Sequence, residues 1–224
     1  MKINIEITAD GSPTFYREDI DEHYHSVKGA LAESLHVYIK SCWQESAKSS
    51  DIVRVFEVGF GTGLNASLTA QAALEHSTPT EYFSIELNPL PSSATAIYSE
   101  SLPEGLRRIL NAVNEAAWLQ PASINPYFTL HKIEDNLLTA ILPTNLDAVY
   151  FDAFAPEKQP EMWTEEIFRK IYGAMKPGAI LTTYCAKGAI RRMLGNIGFR
   201  TERLPGPPSG KREILRAISE KGQQ

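Results

Sequence analysis

Cysteine is scarce in this chain: Cys42 and Cys185 are the only two in 224 residues, and they stand far apart with no paired spacing. That excludes a disulfide framework and offers no zinc-ligand pattern. Long apolar runs are missing too, none nearing the ~18 residues of a helical membrane span. The N-terminus alternates Ile3, Ile5 and Ile7 with polar residues instead of showing a charged, then apolar, leader. The expectation is a soluble, cytoplasmic chain with no membrane partner. Nor is there an excess of positive charge: 22 Lys+Arg stand against 27 Asp+Glu, a net charge of −5. The surface as a whole does not draw nucleic acid, although a local basic patch still can. Internal repeats are absent, and the only low-complexity stretch is Pro205-Gly206-Pro207-Pro208-Ser209-Gly210.

What is present centres on Val55-Phe56-Glu57-Val58-Gly59-Phe60-Gly61-Thr62-Gly63-Leu64-Asn65. A run rich in β-branched and aromatic residues meets three alternating glycines and then an Ala/Leu-rich segment, which reads as strand, turn, helix. Glycine lets the main chain approach a ligand closely, and the free N–H groups opening the helix favour an electron-rich guest. The dinucleotide fingerprint wants its third glycine at position 64, which is leucine here. Acidic-x-Gly-x-Gly-x-Gly is instead similar to the first motif of Rossmann-like methyltransferases. Taken alone, a tight strand–helix connection with no ligand explains such a turn as well.

Residues 1–17 read as two strands around a turn at 9–13, where Asp10-Gly11 is a hairpin signal. Ala30, Leu31, Ser34, Leu35, Tyr38 and Ile39 fall at helical spacing and predict a helix over 27–43. These form an N-terminal hairpin-and-helix extension, 1–45, packed on a main domain, 46–224. His23 and His25 would share one side of an extended segment, but no third ligand stands near, and no metal is expected. In the main domain, strands are expected at 51–58, 81–87, 127–133, 146–151, 179–184, 199–204 and 213–218. Helices are expected at 64–75, 92–99, 103–118, a short one ending at Leu142, 164–175 and 186–195. The pattern is an α/β fold with a seven-stranded, mostly parallel sheet and a small N-terminal β-hairpin.

Glu86 ends the second strand, where this fold class places a carboxylate for ribose hydroxyls; a solvated strand-end glutamate is the alternative. Glu134 and Asp135 close the third strand, and Asp135 serves equally well as a helix N-cap. Asp152, at the carboxyl end of a central strand and followed by an aromatic, proline-bearing loop, is the strongest catalytic candidate.

Several blocks together carry a resemblance: Tyr24-His25-Ser26 with Gly29-Ala30 and Glu33-Ser34; Glu57 to Asn65; Phe151-Asp152-Ala153-Phe154-Ala155-Pro156 with Pro160-Glu161-Met162-Trp163-Thr164; Gly188 with Arg191-Arg192; and Gly210-Lys211-Arg212-Glu213. Over nearly its whole length the chain resembles the methyltransferase domain of the bifunctional tRNA mnm5s2U modification enzymes, in the stand-alone form. The resemblance implies a Rossmann-like fold and methyl transfer from S-adenosylmethionine to the amine of 5-aminomethyl-(2-thio)uridine at the wobble position. It implies the tRNA anticodon stem-loop as partner, a separate enzyme supplying the aminomethyl group, and no FAD. Asp152 is then the catalytic residue, and Glu57, Gly59, Gly61, Gly63, Asn65, Glu86, Glu134 and Asp135 bind the cofactor. Phe154, Trp163 and Tyr184 would stack the extruded base, while Lys187, Arg191, Arg192, Lys211 and Arg212 would contact phosphates. Each aromatic also fits a core position, and each cation a solvated charge. Cys185 reads as packing, since the reaction needs no covalent enzyme intermediate. A small-molecule or polyamine N-methyl or aminopropyl transferase, and a catalytically silent tRNA-binding module, remain open alternatives.

Overall fold

The computed structural model describes residues 2–208, 210 and 212–222. The chain starts with a small antiparallel sheet, β1 (Ile3–Ile7), β2 (Pro13–Arg17) and β3 (Glu22–His23). Ile7 pairs with Pro13 across the Asp10-Gly11 turn, as the hairpin signal requires, and β3 adds a third strand to the expected two. A helix, α1 (30–46), follows, and its middle, Leu35–Trp43, is π-helical. That wider winding turns Val37, Tyr38, Ile39, Cys42 and Trp43 inward. Trp43 Nε1 donates to Thr80 Oγ1 at 3.1 Å and Ser46 Oγ to Asp147 O at 3.1 Å, fixing α1 to the main sheet.

The main sheet has β4 (Val53–Val58), β5 (Thr80–Glu86), β6 (Pro121–Asn125), β7 (Phe128–Glu134), β8 (Leu146–Phe151), β9 (Met175–Thr183), β10 (Phe199–Pro205) and β11 (Glu213–Ser219), in the order β10-β11-β9-β8-β4-β5-β7-β6. β4 pairs parallel with β5 and β8, β5 with β7, and β8 with β9; β6, β10 and β11 run antiparallel to their neighbours. Strands buried on both faces carry apolar side chains at successive positions. In β4, Val53 and Val55 pack beneath one layer of helices, Phe56 and Val58 beneath the other. The first layer contains α1, α2 (Leu64–His76), α3 (Ser92–Glu100) and α4 (Glu104–Glu115); the second contains α5 (Glu165–Ala174) and α6 (Gly188–Ile197). Thr164 caps α5 by accepting a hydrogen bond from Ile167 N at 3.4 Å.

The sheet therefore has eight strands rather than seven. β6 escapes a pattern search because its sequence, Pro-Ala-Ser-Ile-Asn, is a partly exposed edge strand opened by proline and broken by a bulge at Ser123/Asn125. The short helix expected before Leu142 is only a turn over 137–139, with Pro143 close behind. α4 stops at Glu115, and Trp118 instead makes a parallel bridge to Lys132.

The chain leaves β4 outward through β5 to β7, then returns to β8 on β4's other side. That reversal makes a switch point, and the C-terminal ends of β4 and β8 flank its crevice. No described helix is long and apolar enough to cross a membrane.

Candidate active site

Beyond β4 the backbone takes positive φ at Gly59 (89°), Gly61 (51°) and Gly63 (81°), the last being the N-cap of α2. Gly59 is required by more than its dihedral: a Cβ there would lie 2.8 Å from Asp152 O. Asp152 N donates to Val58 O at 3.1 Å, so the glycine turn and the acid after β8 meet backbone to backbone.

Two donors fix the carboxylate of Asp152. Tyr38 Oη, from the π-helical part of α1, donates to Oδ1 at 2.6 Å, and Asn65 Nδ2, from the first turn of α2, to Oδ2 at 2.8 Å. Burial, together with Asp152 nearby, pushes the Tyr38 phenol well above its ordinary value. Tyr38 therefore stays a donor at neutral pH.

Around these groups lies a cavity of about 310 Å3, within the usual range for small-ligand sites. Gly59, Gly61, Asn65, Glu86, Asp135, Asp152, Phe154 and Tyr184 all line it. Glu86 accepts from Gly61 N at 3.2 Å and from Asn88 N at 2.9 Å, and burial raises its pKa. Tyr184 Oη donates to Ala153 O at 2.8 Å, which shapes the loop after β8.

The opposite wall comes from the N-terminal segment and includes Arg17, Glu22, Tyr24 and Glu33. Tyr24 roofs the turn: a Cβ on Gly61 would meet its ring at 3.1 Å, and that ring packs edge-on against Phe154, centroids 5.2 Å apart. Burial, with Glu86 nearby, pushes the Tyr24 phenol up to about 12. Arg17 grips Asp19 through two 3.0 Å bonds. Glu22, Glu33, Glu86, Asp135 and Asp152 outnumber this cation on the cavity wall, so the cavity suits a positively charged guest.

His23 and His25 also line the cavity, while several other residues singled out in the sequence lie elsewhere. Glu57 is fully buried beneath the turn and does not line the cavity. Gly63 holds the start of α2, and Glu134 is exposed outside the lining. Trp163 is buried against Phe151 and Phe168, and its Nε1 donates to Phe154 O at 2.8 Å, so it props the loop from behind. Lys187 is exposed and paired with Glu157; Arg191, Arg192 and Arg212 are exposed as well. Lys211 lies outside the described residues. His23 and His25 part company, His23 Nε2 lying 3.0 Å from Glu6 Oε2 and His25 Nε2 3.1 Å from Thr62 Oγ1.

Sequence reasoning missed Tyr38, Arg17 and Glu33 as site residues. Tyr38 sits at a helical-periodic position indistinguishable from core, and only the fold brings it across 114 positions to Asp152.

A left-handed glycine turn at a switch point, a strand-end glutamate beside it and an anchored aspartate facing both define a Rossmann-like methyltransferase site. A family profile described as S-adenosyl-L-methionine-dependent methyltransferase matches residues 106–220, just over half of the chain, and the chain belongs to that family. Its cofactor is accordingly S-adenosyl-L-methionine. Among relatives, "tRNA 5-methylaminomethyl-2-thiouridine biosynthesis bifunctional protein MnmC" of Cupriavidus necator is 33% identical over 216 residues, 89% of this chain and 32% of that protein. The protein of the same name from Marinomonas sp. is 27% identical over 215 residues, 88% and 31% of the two chains. The chain thus spans about a third of the length of these relatives. Among solved structures, MNMC2 from Aquifex aeolicus superposes with a TM-score of 0.81 at 26% identity, covering 98% of this chain and 71% of that one. Spermidine synthase from Thermotoga maritima, with a TM-score of 0.62 at 14% identity over 99% and 70% of the chains, shares the fold.

Proposed function

We propose that this enzyme methylates the primary amine of 5-aminomethyl-(2-thio)uridine at the tRNA wobble position, giving the methylaminomethyl nucleoside. The observation that carries the reading is Asp152, held by Tyr38 and Asn65 in an acidic cavity against the glycine turn. The alignment of nearly the whole chain with proteins named for methylaminomethyl-thiouridine biosynthesis supports that acceptor. In this reading residues 1–45 are an appendage that walls the cavity of a methyltransferase domain, 46–224.

The residues present fit the cofactor. Gly59 and Gly61 leave main chain bare where side chains would intrude, Glu86 offers carboxylate oxygens suited to ribose hydroxyls, and Asp135 stands at the rim for the adenine amino group. When bound, S-adenosylmethionine supplies a methyl group on a cationic sulfur, ready for in-line attack by an amine.

This chain supplies position and charge. An alkyl ammonium with a pKa near 10 costs roughly 4 kcal/mol to deprotonate at pH 7. Asp152 draws the cationic amine in and aims it, but the same attraction keeps the proton on. Its role is therefore orientation, and the proton leaves to solvent water, a backbone carbonyl of the 153–156 loop accepting a hydrogen bond from the amine without taking its proton. Phe154 and Tyr184 offer aromatic faces to an extruded base, and Trp163 holds Phe154's backbone in place. Lys187, Arg191, Arg192, Lys211 and Arg212 are assigned to the phosphates.

The test is nucleoside mass spectrometry of tRNA carrying the free aminomethyl group, incubated with enzyme and cofactor. Asp152→Asn is expected to lower turnover at least about 100-fold while leaving cofactor affinity, read by calorimetry, nearly unchanged. Methyl label passing to polyamines or small amines but not to tRNA would overturn the assigned acceptor.

A further inference from the structure

The fully buried Glu57 has no place in the chemistry above. It lies on the α2-facing side of the sheet, in register with Ser84 of β5 and Tyr150 of β8, one strand spacing from each. Oε2 accepts a 2.6 Å hydrogen bond from Ser84 Oγ, but Oε1 has no partner. Glu57 forms no ion pair with any described residue. Asn65 and Tyr82 also reach the carboxyl closely enough to favour its charged form, yet Asn65 Oδ1 is buried without a partner. An amide oxygen can only accept, and an ionised Glu57 has no proton to offer it. A buried carboxylate with neither cation nor enough donors is costly, whereas a carboxylic acid adds the missing donor. Asn65 is also the residue whose Nδ2 holds Asp152.

We infer that Glu57 is a neutral, proton-bearing acid that positions Asp152 through Asn65, and is not a ligand of the cofactor. A proton on Oε1 gives one orphan oxygen its partner and pins the Asn65 amide, so that Nδ2 faces Asp152. It also keeps a second negative charge from standing behind the first. The titratable groups facing Glu57 are Asp152, Tyr82 and Tyr150, and none brings positive charge. Burial raises the Glu57 carboxyl to about 8, with Asp152 adding to the rise and hydrogen bonds from Ser84, Asn65 and Tyr82 opposing it. The inference rests on Asp152 acting as proposed, yet the proton itself is read without any turnover.

In 13C-glutamate-labelled wild-type protein, free of cofactor and substrate, a carboxyl resonance lost in Glu57→Gln is expected to stay protonated at pH 7 and titrate above it. A resonance titrating in the ordinary range, or no buried glutamate protonated at pH 7, overturns the inference; wild-type spectra decide this even if the variant folds poorly. Wild-type kcat is expected to decline above pH 8, and Glu57→Gln, which keeps an acceptor for Ser84 and a donor for Asn65 Oδ1, to lack that decline while retaining cofactor affinity and turnover within about threefold. Glu57→Leu, which keeps the volume but no polar atom, is expected to lower kcat at least about tenfold with less change in cofactor affinity. A weakening of cofactor binding by more than about tenfold in Glu57→Gln would show that an ionised Glu57 serves the cofactor, and would overturn the inference while leaving the role of Asp152 intact.

Discussion

A methyl group added at Gly59 has nowhere to go, because the atom it meets is Asp152 O, a backbone oxygen, and φ is +89°. At Gly61 the obstruction is the ring of Tyr24, which can swing. Gly59→Ala is therefore expected to cost about 1–3 kcal/mol of stability, more than Gly61→Ala, and to weaken turnover by displacing Asp152; thermal denaturation and single-turnover rates give the comparison. Gly61→Val, with a branched side chain, should abolish cofactor binding in calorimetry while far-UV circular dichroism stays unchanged. Tyr38→Phe removes a donor to Asp152. Hydrogen bonds to charged groups contribute about 1.5–3 kcal/mol, so kcat should fall roughly tenfold or more with the fold retained. Glu57 adds a signature in stability. Its folded pKa, about 8, exceeds the ordinary 4.5, so its contribution is complete below pH 4.5 and is lost as pH rises through 8. Wild type should lose stability relative to Glu57→Gln across that window by about 1.4 kcal/mol per pH unit, measured by denaturant titration at successive pH values.

At the scale of elements, the N-terminal sheet and α1 do more than decorate the main fold. α1 passes Tyr38 to the site through a π-helical stretch, a winding that recurs at functional positions. The chain between β3 and α1 lays Tyr24 over the glycine turn and aligns His25 with Thr62. Tyr24→Ala should open this roof, weakening cofactor affinity about tenfold, mostly through a faster off-rate in stopped-flow, with little change in melting temperature because Tyr24 is only partly buried. An unchanged off-rate would mean that the roof does not retain the cofactor. β9 begins with Met175-Lys176-Pro177-Gly178, and its register against β8 shifts between Leu146 and Ala148. The irregularity sits at the end of the sheet away from the site and leaves the pairs Val149–Leu181 and Tyr150–Thr182 regular up to the crevice.

For the whole molecule, net charge and site charge work together. A chain of net charge −5 repels RNA at long range, so any tRNA affinity must come from local cations. α6 starts four residues beyond Tyr184, and it carries the exposed Arg191 and Arg192. Reversing both to glutamate should weaken tRNA binding, flatten its salt dependence and leave cofactor affinity untouched, as read by filter binding across a salt series beside calorimetry. Equal affinity before and after the change would place the RNA on another face.

The linear sequence determined the strand–turn–helix at 53–76, the alternation of strands and helices, and Asp152 as the acid to watch, because local periodicity, glycine spacing and strand-end position are written in neighbouring residues. It did not show β6, whose polar edge strand has no pattern of its own, nor the absence of a helix before Leu142. It pointed to Glu57 and Trp163 by position in a motif, while their side chains turned out to sit behind the cavity wall. Tertiary structure alone decided that Tyr38 would hold Asp152 and that residues 17–33 would close the site. The Tyr38–Asp152 contact joins segments 114 positions apart, and which side chain faces which is set by helix winding and sheet register, which no single stretch of sequence encodes.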